Sequence, residues 1–164
     1  MSNKKSTADL VAAAAIADIF RAAKQLDGVA VKTKLIESPY FSSLSGGTVC
    51  LKPENLQNTG SFKLRGAYNK ISQMSAAERQ KGVITASAGN HAQGVAFSAQ
   101  KLRVKAVICM PATTPILKVE ATRAYGAEVV LHGDTFDDAY AKSLELQSQP
   151  RSEERRVGKE CRSR

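Results

Sequence analysis

The chain has 164 residues, 43% hydrophobic, 24% charged and 5% aromatic, with a formal net charge of +9. Cys50, Cys109 and Cys161 show neither disulfide nor metal-ligand spacing, and no apolar run is long enough to cross a membrane, so the composition reads as a soluble, cytoplasmic domain without a metal site. The last 14 residues hold six of the basic and three of the acidic side chains, leaving +6 on the first 150, scattered apart from the loose groups Lys32, Lys34 and Lys101, Arg103, Lys105; with so few aromatics and no matching motif, this excludes nucleic acid as the expected partner.

Leu10 to Ala17 follows Lys4 and Lys5 as a leader might, but Asp9 and Asp18 bracket it. The spacing of Ile16, Ile19, Phe20, Ala23 and Leu26 up to Gly28 predicts an amphipathic opening helix instead. Gly46-Gly47 reads as a hairpin or loop. Then the pattern alternates: strand 48–52, helix 62–74, strand 83–86, helix 91–101, strand 104–109, helix 115–125, strand 127–131, helix 135–147. Such alternation predicts parallel α/β architecture. Cys50 and Cys109 fall in apolar strand-like runs and are expected to be small buried hydrophobes. After Gln149-Pro150 the composition changes abruptly and apolar periodicity stops. Residues 150–164 resemble the translated read-through of a sequencing adapter and are expected to stand outside the fold.

Two runs carry chemistry. In Thr59-Gly60-Ser61-Phe62-Lys63-Leu64-Arg65-Gly66-Ala67, Gly60-Ser61 reads as a turn and N-cap, which puts Lys63 in the first turn of a helix. Its ammonium then faces the positive end of the helix dipole with Arg65 nearby. Both influences disfavour the charged form and make the amine a better nucleophile, of the kind that forms Schiff bases. A solvated surface lysine is the blander alternative.

The second run, Ser87-Ala88-Gly89-Asn90-His91-Ala92-Gln93-Gly94, follows the strand Val83-Ile84-Thr85-Ala86 and opens a helix. Open α/β sheets bind ligands at such strand-to-helix turns. Gly89 allows close backbone approach, the Ser87 hydroxyl and the N–H groups of residues 88 to 91 can hold a carboxylate, and Asn90 offers a neutral amide for a phenolic oxygen. An ordinary capping loop would have the same composition.

Leu51 to Ala67, followed by Ala86 to Gly94, resembles the threonine dehydratase (threonine ammonia-lyase) family, with further matching stretches at Met110-Pro111 and Ala127 to Gly133. The resemblance runs from about Ile16 to Gln149. It implies an α/β fold of the fold-type II, tryptophan-synthase-β-like group: open twisted parallel sheets with flanking helices. Residues 1–80 would begin the large pyridoxal 5′-phosphate domain, left incomplete, and 81–149 would form the small domain. It also implies that Lys63 holds the cofactor as a Schiff base and removes the substrate α-proton. Phe62 would pack beside the cofactor ring and Asn90 would hydrogen-bond its 3′ oxygen. Ser87, Ala88, Gly89, Asn90 and His91 would grip the carboxylate of an amino-acid substrate. The family reaction converts L-threonine, and L-serine, to a 2-oxo acid and ammonia, and its enzymes are homo-oligomers.

Relatives that racemise serine carry a serine where this chain has Ala88, a residue with no proton to give, which favours elimination. The family's tetraglycine phosphate loop and the Ser or Cys beside the pyridine nitrogen have no counterpart in the sequence. The 164 residues alone are therefore expected to be inactive, and a non-catalytic carboxylate-binding fragment is the reading from another class.

Overall fold

The computed structural model describes residues 16–148 and the backbone of 155–156. The opening helix α1 spans Ile16–Gln25, with Gly28 in the left-handed region (φ 71°) just beyond it; residues 10–15 of the expected helix lie outside the described residues. The apolar spacing is helical as expected, but Ile16, Ile19 and Phe20 stay 61–72% exposed. A short antiparallel pair follows, β1 (Ile36–Glu37) with β2 (Cys50–Leu51), wrapped around α2 (Pro39–Ser45). Ser38 caps α2, whose first-turn Pro39 needs no N–H partner, and Gly46 (φ 70°) closes it by donating its N–H to Ser42 O.

Two expectations are corrected here. The strand over 48–52 shortens to Cys50–Leu51 and pairs antiparallel, because its neighbour is the local β1 and not a crossover strand. Cys50 is exposed; on this two-residue ribbon no layer covers it, whereas Cys109, inside the sheet, is fully buried.

A 3₁₀ turn (Glu54–Leu56) leads to α3 (Lys63–Ser72) and α4 (Ala76–Lys81). The expected helix over 62–74 is thus α3, within two residues at each end, while α4, between it and the next strand, was not expected. Helix α4 begins with a capping box in which the Ser75 hydroxyl accepts from Glu78 N–H and the Glu78 carboxylate accepts from Ser75 N–H.

The expected alternation is then followed within two residues at every boundary: β3 (Val83–Ala86), α5 (Asn90–Leu102), β4 (Ala106–Met110), α6 (Ile116–Arg123), β5 (Glu128–Leu131), α7 (Phe136–Ser148). All pairings within this four-stranded sheet are parallel, with strand order β5-β4-β3-β6, where β6 is Arg155–Arg156. That last strand comes from the stretch set apart in the sequence; it pairs with Val83 and Ile84, whose backbone would otherwise form an open sheet edge.

Strand alternation divides the core between the two faces. Val83, Ala106, Ile108 and Met110 point to one side, against Ala67 and Ile71 of α3, Ala92, Val95, Ala96 and Ala99 of α5, and Val119 of α6. Ile84, Ala86, Val107 and Cys109 point to the other, against Ala139 of α7. Covered on both faces, β3 and β4 bury every residue, which is why they read as unbroken apolar runs.

Candidate active site

The segment before Lys63 is fixed by polar contacts to distant chain. Gln57, 4% exposed, accepts from Val31 N–H through Oε1 and donates through Nε2 to Val31 O, both at 2.9 Å. Asn58 Nδ2 donates to Val29 O, and Tyr125 OH donates to Asn58 O at 3.0 Å, tying the segment to the far end of α6. Gly60 turns the chain at φ 68°, its N–H donated to Gln57 O.

Helix α3 begins at Lys63 itself, with Phe62 in the cap position; Ser61, expected as the N-cap, sits one residue earlier and its Oγ accepts from Lys63 N–H at 3.3 Å. Lys63 is half-buried, and its Nζ lies 5.0 Å from the centre of the Phe62 ring. Phe62 is 55% exposed, an open aromatic face beside a primary amine. Arg65 does not crowd that amine as an unpaired charge. Its Nε and second guanidinium nitrogen donate to the two carboxylate oxygens of Glu54, each at 2.8 Å. The hydrogen bonds from Arg65 hold the Glu54 carboxyl below its ordinary value of 4.5, and Glu54 in turn raises the Arg65 guanidinium.

The second run lies at the carboxyl end of β3. Ser87 is buried; its N–H donates to Cys109 O at 3.0 Å, and its Oγ accepts from Gly89 N–H at 3.3 Å. Ser87 therefore keeps its hydroxyl proton for another acceptor, while its backbone is pinned to β4. Ala88, Gly89 and His91 are half-buried and Asn90 is exposed. Gly89 occupies the cap position of α5 in extended conformation, and no side chain caps that helix. An uncapped helix start at the mouth of a parallel sheet presents N–H groups and a positive dipole end to an anion.

Helices α3 and α5 pack on one another, and this contact joins the two runs. A Cβ built on Gly94 would lie 3.0 Å from Lys63 C and 3.1 Å from Leu64 N. Gly94 is one helical turn beyond Asn90 and shares its face, so the backbone of Lys63 rests on the side of α5 that carries Asn90. The turn that carries Lys63 thus packs on the helix that opens with the loop 87–91. The sequence reading did not assign a part to Gln57, Tyr125 or the Glu54–Arg65 pair. Gly94 alone of the contact residues carried a signal, since a helix interior disfavours glycine unless close packing requires it.

Pyridoxal 5′-phosphate fits this donor set: a half-buried amine for its aldehyde, an open aromatic ring beside that amine and an uncapped helix start for an anion. Among the described residues no tetraglycine loop occurs for its phosphate, and no cluster of metal-ligating side chains is found. No helix among them is long and apolar enough to cross a membrane.

Residues 26–155 match the family described as pyridoxal-phosphate dependent enzyme. The L-threonine ammonia-lyase of Thermotoga maritima is 51% identical over 130 residues, 79% of this chain and 32% of that protein. The processed form of threonine deaminase isoform 2 from Solanum lycopersicum superposes with a TM-score of 0.77 at 41% identity, over 88% of this chain and 41% of that one. Maize serine racemase superposes with a TM-score of 0.82 at 29% identity, over 89% and 44%. The chain therefore spans about a third to two fifths of the length of these relatives.

Proposed function

The chain belongs to the pyridoxal-phosphate dependent enzyme family, and from that premise we propose that it is the lysine-bearing part of a threonine ammonia-lyase. The whole protein would convert L-threonine to 2-oxobutanoate, and L-serine to pyruvate, with release of ammonia. The observation that supports this is the packing of Gly94 on the Lys63 backbone, which puts the lysine-bearing turn of α3 against the helix that opens with the Ser87–His91 loop.

When bound, the cofactor draws electrons from the substrate α-carbon so that a proton and the β-hydroxyl can leave. Lys63 Nζ would hold the cofactor and, once the substrate amino group has displaced it, would be the free amine that takes the α-proton. Phe62, whose ring lies 5.0 Å from that amine, would offer the cofactor ring an apolar neighbour. The Asn90 amide donates to the phenolic oxygen without adding charge. The Ser87 hydroxyl and the N–H groups at the start of α5 hold the substrate carboxylate, and Gly89 lets it approach the backbone. The half-buried imidazole of His91 flanks the same loop.

Serine racemisation is the second reading, favoured by the superposition on the maize enzyme. Ala88 argues against it, because a methyl group at that point of the loop can neither give nor take a proton on the far side of the α-carbon. Interconversion of L- and D-serine at a rate comparable to ammonia release would favour the racemase.

The direct test is 2-oxo acid formation from L-threonine by the whole protein and its Lys63→Ala variant. We expect activity in the first and a loss on the order of 10³ or more in the second, with the cofactor's visible absorbance altered. Activity surviving in Lys63→Ala removes the lysine from this role. We further infer a cytoplasmic homo-oligomer from the family resemblance; sedimentation and cell fractionation test both.

A further inference from the structure

We infer that Gly94 is a positioning residue for Lys63: the missing side chain on α5 sets how closely the amine-bearing turn of α3 approaches the loop at 87–91. This rests on the reading of Lys63 as the cofactor lysine. Gly94 lies in the middle of a 13-residue helix, fully within a row of buried residues that includes Ala92, Val95 and Ala96. Glycine there costs about 1 kcal/mol of helix stability relative to alanine. The contact that an alanine would make explains the choice. Its Cβ would stand 3.0, 3.1 and 3.2 Å from Lys63 C, Leu64 N and Lys63 O. All three are backbone atoms, which cannot swing aside as a side-chain tip can.

Relief by sliding α3 sideways is blocked on three sides. Leu64 is fully buried, Arg65 is held by both oxygens of Glu54, and the Ser61 hydroxyl takes the Lys63 N–H. Helix α5 is equally fixed, since its Ala92, Val95, Ala96 and Ala99 are buried in one core cluster with Val83, Ala106, Ile108 and Met110 of the sheet. A methyl at 94 must therefore lift the start of α3 outward by a few tenths of an ångström, carrying the Lys63 side chain away from the loop. Catalytic groups misplaced by such distances lose rate without loss of fold.

Gly66 supplies the matched control. It also lies inside a helix, α3, but is exposed, and a Cβ there meets nothing within 4 Å. Gly66→Ala and Gly94→Ala thus gain the same helix propensity, and only the second touches Lys63.

The experiment follows each variant by its Lys63 and Leu64 amide shifts without cofactor. It also follows the rate at which added pyridoxal 5′-phosphate is captured on Lys63, trapped by borohydride and mapped by mass. In the whole enzyme, kcat and KM are read separately. For Gly94→Ala we expect a folded protein with both amides displaced, Lys63 capture at least fivefold slower, and kcat reduced with KM nearly unchanged; Gly66→Ala should match the parent. Parental capture and kcat in Gly94→Ala overturn the inference. So does loss of its circular-dichroism fold, which would make Gly94 a packing residue only. If the parent itself captures no cofactor on Lys63, the functional reading fails, and the positional claim is then decided by the amides: if they do not move in Gly94→Ala, it fails too.

Discussion

The sheet unit from Val83 to Ser148 and the stretch from Ile16 to Leu51 treat apolar side chains in opposite ways. In the first, β3 and β4 are wholly buried between α3, α5 and α6 on one face and α7 on the other. In the second, α1, β1, α2 and β2 contain no buried residue, and Leu35, Tyr40 and Leu44 are 66–68% exposed. Similar residue types thus contribute differently, because area leaves water only where a second layer covers it. Lys63 stands at the junction, with its helix built on the buried unit and its preceding loop tied back to residues 29–31.

The difference breaks most visibly at Ile108. Ile108→Ala empties a fully buried position shared by β4 and α5 and should cost about 2–5 kcal/mol, whereas Leu44→Ala should stay within about 0.5 kcal/mol. Urea midpoints of the two variants measure the contrast, and similar losses would mean that the N-terminal stretch is covered in solution. Next in size is Gly133→Ala. Gly133 has φ 63°, and a Cβ there would fall 2.1 Å from Asp138 Cβ. The clash displaces the carboxylate that accepts from Asp134 N–H, Thr135 N–H and Thr135 Oγ at the start of α7, a loss of about 2 kcal/mol readable by thermal melting.

Tyr125→Phe sharpens the junction. It removes the hydroxyl that holds Asn58 O, at about 1 kcal/mol, and should speed hydrogen exchange at the Gly60 and Lys63 amides more than anywhere in the sheet. Uniform exchange across the chain would show that this bond does not secure the lysine loop.

The smallest effect is acid-dependent. Glu54 has its carboxyl lowered in the folded chain by Arg65, so its contribution is complete above the ordinary glutamate value of 4.5 and disappears as pH falls through the lower folded value. The melting advantage over Glu54→Gln, under about 1 kcal/mol, should therefore be constant near neutrality and vanish with acidification. An advantage that grows in acid would mean that the pair is not the source.

Much of the sheet unit was legible because its signals are local. Buried strands announce themselves as short apolar runs, and helices α5, α6 and α7 begin and end within two residues of expectation. The capping box Ser75–Glu78 was equally legible as a pattern, yet the short helix it opens, α4, was not among the expected elements. The hairpin around α2 gave less: two-residue strands are too short to show a period, and neither the antiparallel pairing nor the exposure of Cys50 could be read from it. At the site, residue types were legible and partnerships were not. Arg65 was expected to act on Lys63 and instead answers Glu54, 11 residues away.

The sequence by itself determined the β-α alternation, the turn that puts Lys63 at a helix start and the Ser87–His91 loop at the end of a strand. Each follows from spacing within a dozen residues, where backbone geometry dictates which side chains share a face. Tertiary structure alone decided which helix Lys63 leans on, that Gly94 is the point of contact, and that Tyr125 secures a carbonyl 67 residues away. Those relations depend on how two helices settle against each other on one sheet, a distance of tenths of an ångström that no local pattern encodes.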